Sequence, residues 1–177
     1  SSMKEVKERA AAVRMLVLDV DGTLTDGGIY IGATGELFKR FDIKDGLGIA
    51  LWHRAGGKTA VITGRTSPIL EARARELKIT ALWQGRLDKA AAYQELKTRY
   101  SLTDEAIAYI GDDLVDLPVM QQAGFAAAPA DAVSEVRQRA HFVAFHQSGN
   151  GAVREIIEFI LQAQGRWEEM VARFLIS

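Results

Sequence analysis

The segment Met15-Leu16-Val17-Leu18-Asp19-Val20-Asp21-Gly22-Thr23-Leu24-Thr25 begins as an apolar run and stops on two aspartates one residue apart. A run this β-prone, with no polar relief, suits a strand covered on both faces, as in a parallel sheet. Ligands of such sheets gather outside the carboxyl ends of the strands, which puts Asp19 and Asp21 where chemistry is done. Two carboxylates this close repel each other, so a divalent cation or a shared proton is expected between them.

Outward from that strand, short apolar runs alternate with segments of helical period. The runs are Met15 to Leu18, Thr59 to Thr63, Ile79 to Trp83, Ile107 to Ile110, Gly124 to Ala128 and His141 to Phe145. The alternation predicts an α/β fold with a mainly parallel sheet. Helix starts are marked by Ser67 before Pro68, by Asp88 before Lys89 to Tyr100, and by Asp131 before Ala132 to Ala140. A last long helix is expected from near Gly151 to near Gln164, followed by a short amphipathic tail segment from Arg166 to Ser177.

The stretch from Asp26 to Asp45 breaks the alternation. Two β-prone runs flank the turn formers Gly32 to Gly35, which predicts a β-hairpin over about 27–42. An isolated two-stranded hairpin is marginal in water. Ile29, Ile31, Leu37, Phe38 and Phe41 therefore need cover, from the domain body or from another subunit.

Composition narrows the function classes. A chain of 177 residues can bury a proper core, and one domain over 1–177, with its tail at about 165–177, is the simplest organisation. The formal net charge of −1 argues against a nucleic-acid or anionic-membrane partner held by electrostatics. With no cysteine, disulfides, zinc-thiolate sites and cysteine catalysis are excluded together. No apolar stretch approaches the roughly 20 residues of a membrane span. The start Met3-Lys4-Glu5-Val6-Lys7-Glu8-Arg9 lacks an apolar signal core, and a cytoplasmic location is expected; Ser1 and Ser2 are set aside.

Four strand or helix ends carry polar groups that can converge. Asp19 and Asp21 end the first strand; Thr63-Gly64-Arg65 ends the second, offering a hydroxyl and a glycine amide that can approach an anion closely. Lys89 opens a helix, where its charge and the helix end together attract phosphate. Gly111-Asp112-Asp113-Leu114-Val115-Asp116 returns carboxylates to the site. These groups suit phosphoryl transfer. Carboxylate attack on phosphorus needs a hard cation such as Mg²⁺, which Asp19 and Asp112 can ligate. Thr63, the Gly64 amide and Lys89 can meet the developing charge, and Asp21 can protonate the leaving alkoxide and then activate water.

In this order, Asp19 to Thr25, Thr63 to Arg65, Lys89 and Gly111 to Asp116 resemble the four motifs of the haloacid dehalogenase phosphatase superfamily. The resemblance implies a three-layer Rossmann-like fold. It implies Asp19 as nucleophile, Asp21 as acid/base, and a magnesium site of Asp19, the Asp21 carbonyl and Asp112, with Asp113 acting through water and Asp116 orienting its neighbours. Only about 40 residues separate the first two motifs, and the hairpin uses most of them, so no cap domain fits. Capless members often close the site with a neighbouring subunit, and the resemblance implies the same for this chain. Thr25 to Tyr30, Phe41 to Gly48, Gly111 to Met120 and Gly149 to Ile156 further resemble the members that act on phosphorylated sugar acids. That resemblance implies a homotetramer with packed hairpins, and a substrate held by Asp42, Ile43, Lys44, Asp45 and Gly46, read as a loop, together with Gly64, Arg65 and Arg73. Guanidinium and ammonium groups suit such an anion. Ala50 departs from members with a basic side chain there.

Plainer readings apply elsewhere. His53, His141 and His146 lack metal-ligand spacing, Trp52, Trp83 and Trp167 are expected to pack, and Arg86 is a weak site candidate. The competing function class is a non-catalytic phospho-accepting receiver domain. It is disfavoured because no isolated acceptor aspartate ends the third strand.

Overall fold

The computed structural model describes residues 2–175. Strand β1 (Met15–Leu18) is buried along its whole length and lies inside a six-stranded sheet. Its companions are β4 (Lys58–Ile62), β5 (Ala81–Trp83), β6 (Ile107–Ile110), β7 (Phe125–Ala128) and β8 (Phe142–Val143). The order is β5-β4-β1-β6-β7-β8, and every pairing is parallel. β4 and β5 lie to one side of β1 and the later strands to the other. The chain therefore reverses its progress across the sheet at β1, which opens a crevice beyond the carboxyl ends of the strands.

Alternate residues of β1 feed two cores. Leu16 and Leu18 pack with Val61, Ala108 and Ile110 beneath α1 (Met3–Ala11), α2 (Ile43–Arg54) and α7 (Ala152–Ala163). Met15 and Val17 pack with Ala60, Ile62 and Tyr109 beneath α4 (Lys89–Tyr100), α5 (Leu117–Met120) and α6 (Ser134–Arg139). The three-layer α/β architecture expected from the sequence is thus present, without a cap domain.

Helix α3 (Pro68–Leu77) starts where expected, with the Ser67 hydroxyl accepting from the Leu70 amide, and Asp88 caps α4 through the Ala91 amide. The hairpin is also present, as β2 (Tyr30–Gly32) and β3 (Gly35–Phe38) in a sheet of their own with an irregularity after Tyr30. The short helix α8 (Trp167–Ala172) buries Met170, and Phe174 and Leu175 just beyond it are exposed; residues 176 and 177 of the expected tail lie outside the described residues. No described helix is long and apolar enough to cross a membrane.

Two expectations need correction. The Asp42 to Gly46 segment is not a loop: Asp42 is the N-cap of α2, accepting from the Lys44 and Asp45 amides. Two glycines in the first half of α2 weaken its helical signal, yet they let it pack closely; a Cβ on Gly48 would stand 3.2 Å from Arg154 Cδ. Asp131 does not start α6, whose N-cap is Val133; its carboxylate instead accepts from the Ser148 amide and hydroxyl, both at 2.8 Å. The sequence also hides α1, which buries only Val6 and Ala10 and so shows little apolar periodicity.

Candidate active site

The first motif leaves β1 as a tight loop. The Thr23, Leu24 and Thr25 amides all donate to the Val20 carbonyl, and the Thr25 hydroxyl accepts from the Gly22 and Gly27 amides. Gly22 sits at φ +87°, and a Cβ there would meet Asp112 Oδ2 at 1.9 Å. Only glycine allows the two carboxylate-bearing loops to approach this closely.

Thr63 follows β4, Lys89 begins α4, and Asp112 lies two residues beyond β6, so three further secondary elements deliver their groups to the end of β1. Asp19, Asp21, Thr63, Gly64, Arg65, Lys89, Asp112 and Asp113 line one cavity of about 230 Å³, together with Arg86, Leu87 and Val115. A larger hollow of about 500 Å³ opens between the ends of α1 and α2, but it has no carboxylate in its lining. Chemistry rather than size marks the site.

Lys89 Nζ reaches Asp19 Oδ1 at 2.9 Å and Asp116 Oδ1 at 2.8 Å. Asp116 is fully buried; its other oxygen accepts from the Asp112 and Asp113 amides, and the Tyr109 hydroxyl donates to Oδ1 at 2.6 Å. Burial and the Asp116 charge, partly offset by Lys89, push the Asp19 pKa up to about 6. Burial, with Asp19 and Asp116, pushes Asp112 up to about 8. On Lys89, burial works against the charge, but Asp19 and Asp116 outweigh it and its pKa is raised. An excess of buried negative charge therefore remains after Lys89 is counted.

Oxygen atoms of Asp19, Asp112 and Asp116 all lie within 4.8 Å of one another. That oxygen-only, carboxylate-rich set fits a hard divalent cation. Asp19 and Asp112 are the better ligands, because both Asp116 oxygens already accept hydrogen bonds from protein groups.

Asp21 faces two cations. Lys39 Nζ stands 2.8 Å from its Oδ1, and Arg65 Nε 3.9 Å from its Oδ2. Lys39 was not singled out by the sequence, where Lys39-Arg40 after a hairpin strand reads as a solvated edge charge; in the fold its side chain is only 3% exposed. Tyr109 was missed because one tyrosine in an apolar strand run reads as core.

The remaining sequence candidates lie apart. Asp42, Ile43, Lys44, Asp45, Gly46 and Arg73 do not line the cavity. Ile43 is exposed, whereas Asp45 is buried and accepts from the Arg154 amide in the first turn of α7. Arg73 pairs with Glu76 and lies over the Phe41 ring. The histidines have structural partners: His53 the Thr59 hydroxyl, His141 the Ala126 amide and His146 the Glu155 carboxylate. Trp52 donates to the Lys58 carbonyl, and Arg86 is engaged by Glu95.

Residues 74–156 match the family model of haloacid dehalogenase-like hydrolases. A 3-deoxy-D-manno-octulosonate 8-phosphate phosphatase of Yersinia pestis is 46% identical over 164 residues, covering 93% of this chain and 88% of the relative. The chain belongs to the haloacid dehalogenase-like hydrolase family. Among solved structures of the family, the 3-deoxy-D-manno-octulosonate 8-phosphate phosphatase of Moraxella catarrhalis, in complex with magnesium, phosphate and KDO, superposes with a TM-score of 0.95. It is 36% identical, with 98% of this chain and 99% of that one covered. The cobalt-bound deoxy-D-mannose-octulosonate 8-phosphate phosphatase of Haemophilus influenzae gives a TM-score of 0.91 at 39% identity, covering 95% and 99%. Within this hydrolase family, then, the likeness extends over nearly the whole chain rather than over the motifs alone.

Proposed function

We propose that this chain is a magnesium-dependent phosphatase that hydrolyses 3-deoxy-D-manno-octulosonate 8-phosphate to the free sugar acid and phosphate. The observation that carries the reading is the placement of Asp19 at the end of β1, 2.9 Å from a buried lysine and beside Asp112, in a chain so similar to phosphatases of that substrate. Asp19 attacks the phosphorus and the bond to the sugar oxygen breaks, leaving an aspartyl-phosphate. Asp21 gives its proton to the departing alkoxide, then takes one from the water that cleaves the acyl phosphate. Thr63, the Gly64 amide and Lys89 hold the phosphoryl oxygens. Asp19, the Asp21 carbonyl and Asp112, with Asp113 through water, would hold Mg²⁺, which when bound screens the repulsion between the carboxylates and the phosphate.

Arg65 borders the cavity beside Asp21 and is suited to the sugar acid. Asp45 and Gly46 are buried within their own chain, whereas Asp42, Ile43, Lys44 and Arg73 lie on a surface of it apart from the cavity. Their contact with the substrate is assigned across a subunit boundary in a homotetramer, whose packed hairpins cover Ile31, Leu37 and Phe38. The same reading makes the chain one cytoplasmic domain whose product feeds lipopolysaccharide synthesis.

A panel of phosphate esters with magnesium tests the substrate. The octulosonate 8-phosphate is expected to give the highest kcat/KM, above a nonulosonate 9-phosphate and hexose phosphates. A higher value for either of those would move the assignment to another sugar-acid or sugar phosphate. Stable phospho-labelling without turnover would identify a receiver domain instead.

A further inference from the structure

The hairpin does more than project from the domain. Just past the end of β3, Lys39 turns inward, and its ammonium lies 2.8 Å from Asp21 Oδ1 and 2.9 Å from Glu36 Oε2. The other oxygen of Glu36 accepts from the Ser67 hydroxyl at 2.6 Å, and Ser67, two residues beyond the Thr63-Gly64-Arg65 turn, caps α3. A continuous chain of polar contacts thus runs from the Ser67 cap of α3 through Glu36 and Lys39 of the hairpin to the second aspartate of the first motif. Lys39 is not among the residues that line the cavity, so it stands behind Asp21 rather than beside a phosphate ester bound there. Its one contact with the chemistry is Asp21, whose side chain is 20% exposed while that of Lys39 is 3%.

We propose that Lys39 is a positioning residue of the phosphatase, fixing the Asp21 carboxyl so that its free oxygen faces the leaving oxygen of the ester. This rests on the role of Asp21 given above. A carboxyl on a short tight loop has two side-chain torsions free to wander. A buried ammonium, itself anchored by Glu36, takes one oxygen and leaves the other toward the cavity, where Arg65 is the one cation of the described residues paired with it, at 3.9 Å. When the phosphorus–oxygen bond breaks, the proton passes from that oxygen to the alkoxide, and the carboxylate left behind keeps its hydrogen bond to Lys39. The hairpin is therefore a structural part of the acid/base, beyond any part it plays in covering the site.

Leaving groups of different basicity separate this role from a general effect on the fold. A sugar alkoxide needs a proton to depart, whereas p-nitrophenolate does not. In single-turnover experiments with Mg²⁺, Lys39→Met is expected to slow the sugar phosphate by about tenfold or more, within the range of acid catalysis. Release of p-nitrophenolate from p-nitrophenyl phosphate should stay within about twofold of wild type, and Lys39→Arg should recover most of the sugar-phosphate rate. Asp21→Asn is the control. If it shows the leaving-group dependence and Lys39→Met does not, the proposal for Lys39 is overturned while the role of Asp21 stands. If Asp21→Asn slows both esters alike, the role of Asp21 fails, and the inference with it. Equal slowing of both esters by Lys39→Met would reduce Lys39 to a structural residue. Should Lys39→Met not fold, Glu36→Gln, which frees Lys39 without emptying its site, is read against the same two esters with the same outcomes.

Discussion

Lys89 and Asp116 form an ion pair of 2.8 Å in which the carboxylate is wholly buried and the ammonium side chain only 4% exposed. Such a pair stabilises little relative to a well-packed apolar substitute, but removing one partner leaves the other charge stranded. Here Lys89 also faces Asp19, so Lys89→Met strands two carboxylates together. Urea unfolding of the metal-free protein at neutral pH is expected to show a loss of about 3–5 kcal/mol. A variant as stable as wild type would mean that the carboxylates find other counter-charges.

The same crowding predicts how magnesium and pH interact. Asp19 and Asp112 rise from 3.8 to about 6 and about 8 in the fold, while the unfolded chain keeps ordinary values. The folded protein then holds more protons across that range, and its metal-free stability falls as pH climbs from about 4 to 8. A cation that replaces those protons matters most where they are gone. The rise in Tm on adding Mg²⁺ should therefore be larger at about pH 8 than at about pH 5. An equal rise at both would disconnect the metal from these two carboxylates.

What the sequence made legible follows from physics that is local. β1 announces itself because both its faces are buried and no polar residue interrupts it, and α3 and α4 start where Ser67 and Asp88 can accept from amides three residues on. The four-motif site is readable because each group sits at the end of an element that the sequence marks. α2 was not readable, since Gly46 and Gly48 serve its packing on Arg73 and Arg154 rather than its own propensity. Lys39 escaped for a related reason: its burial depends on Asp21 and Glu36 folding around it, which spacing along the chain does not encode.

The hairpin carries Ile31 at 67%, Leu37 at 60% and Phe38 at 51% exposure, a cluster that a monomer has reason to hide. A double variant, Ile31→Lys with Leu37→Lys, is expected to yield a smaller species by light scattering and a lower kcat/KM, with the domain's own unfolding transition preserved. Wild-type protein that remains a fully active monomer at high dilution would rule out a site shared between subunits.

Asp45 supplies the cleanest pH test away from the metal ligands. It lies in the first turn of α2, yet it caps α7 by accepting from the Arg154 amide at 2.9 Å, a task that Gly151 at the N-cap has no side chain to perform. Its Oδ2 has no hydrogen-bond partner among the described residues. Burial outweighs the Arg154 hydrogen bond and lifts its pKa from 3.8 to about 6. A raised carboxyl is protonated in the fold before it is in the unfolded chain, so its cost is absent below about pH 4 and complete above about pH 7, where it reaches about 3 kcal/mol. Asp45→Asn keeps the acceptor for Arg154 and removes the titration. Its stability relative to wild type should therefore climb by about that amount between pH 4 and 7, whatever constant offset the new amide introduces. Parallel stability curves for the two proteins over that interval would show that Asp45 keeps its ordinary pKa in the fold.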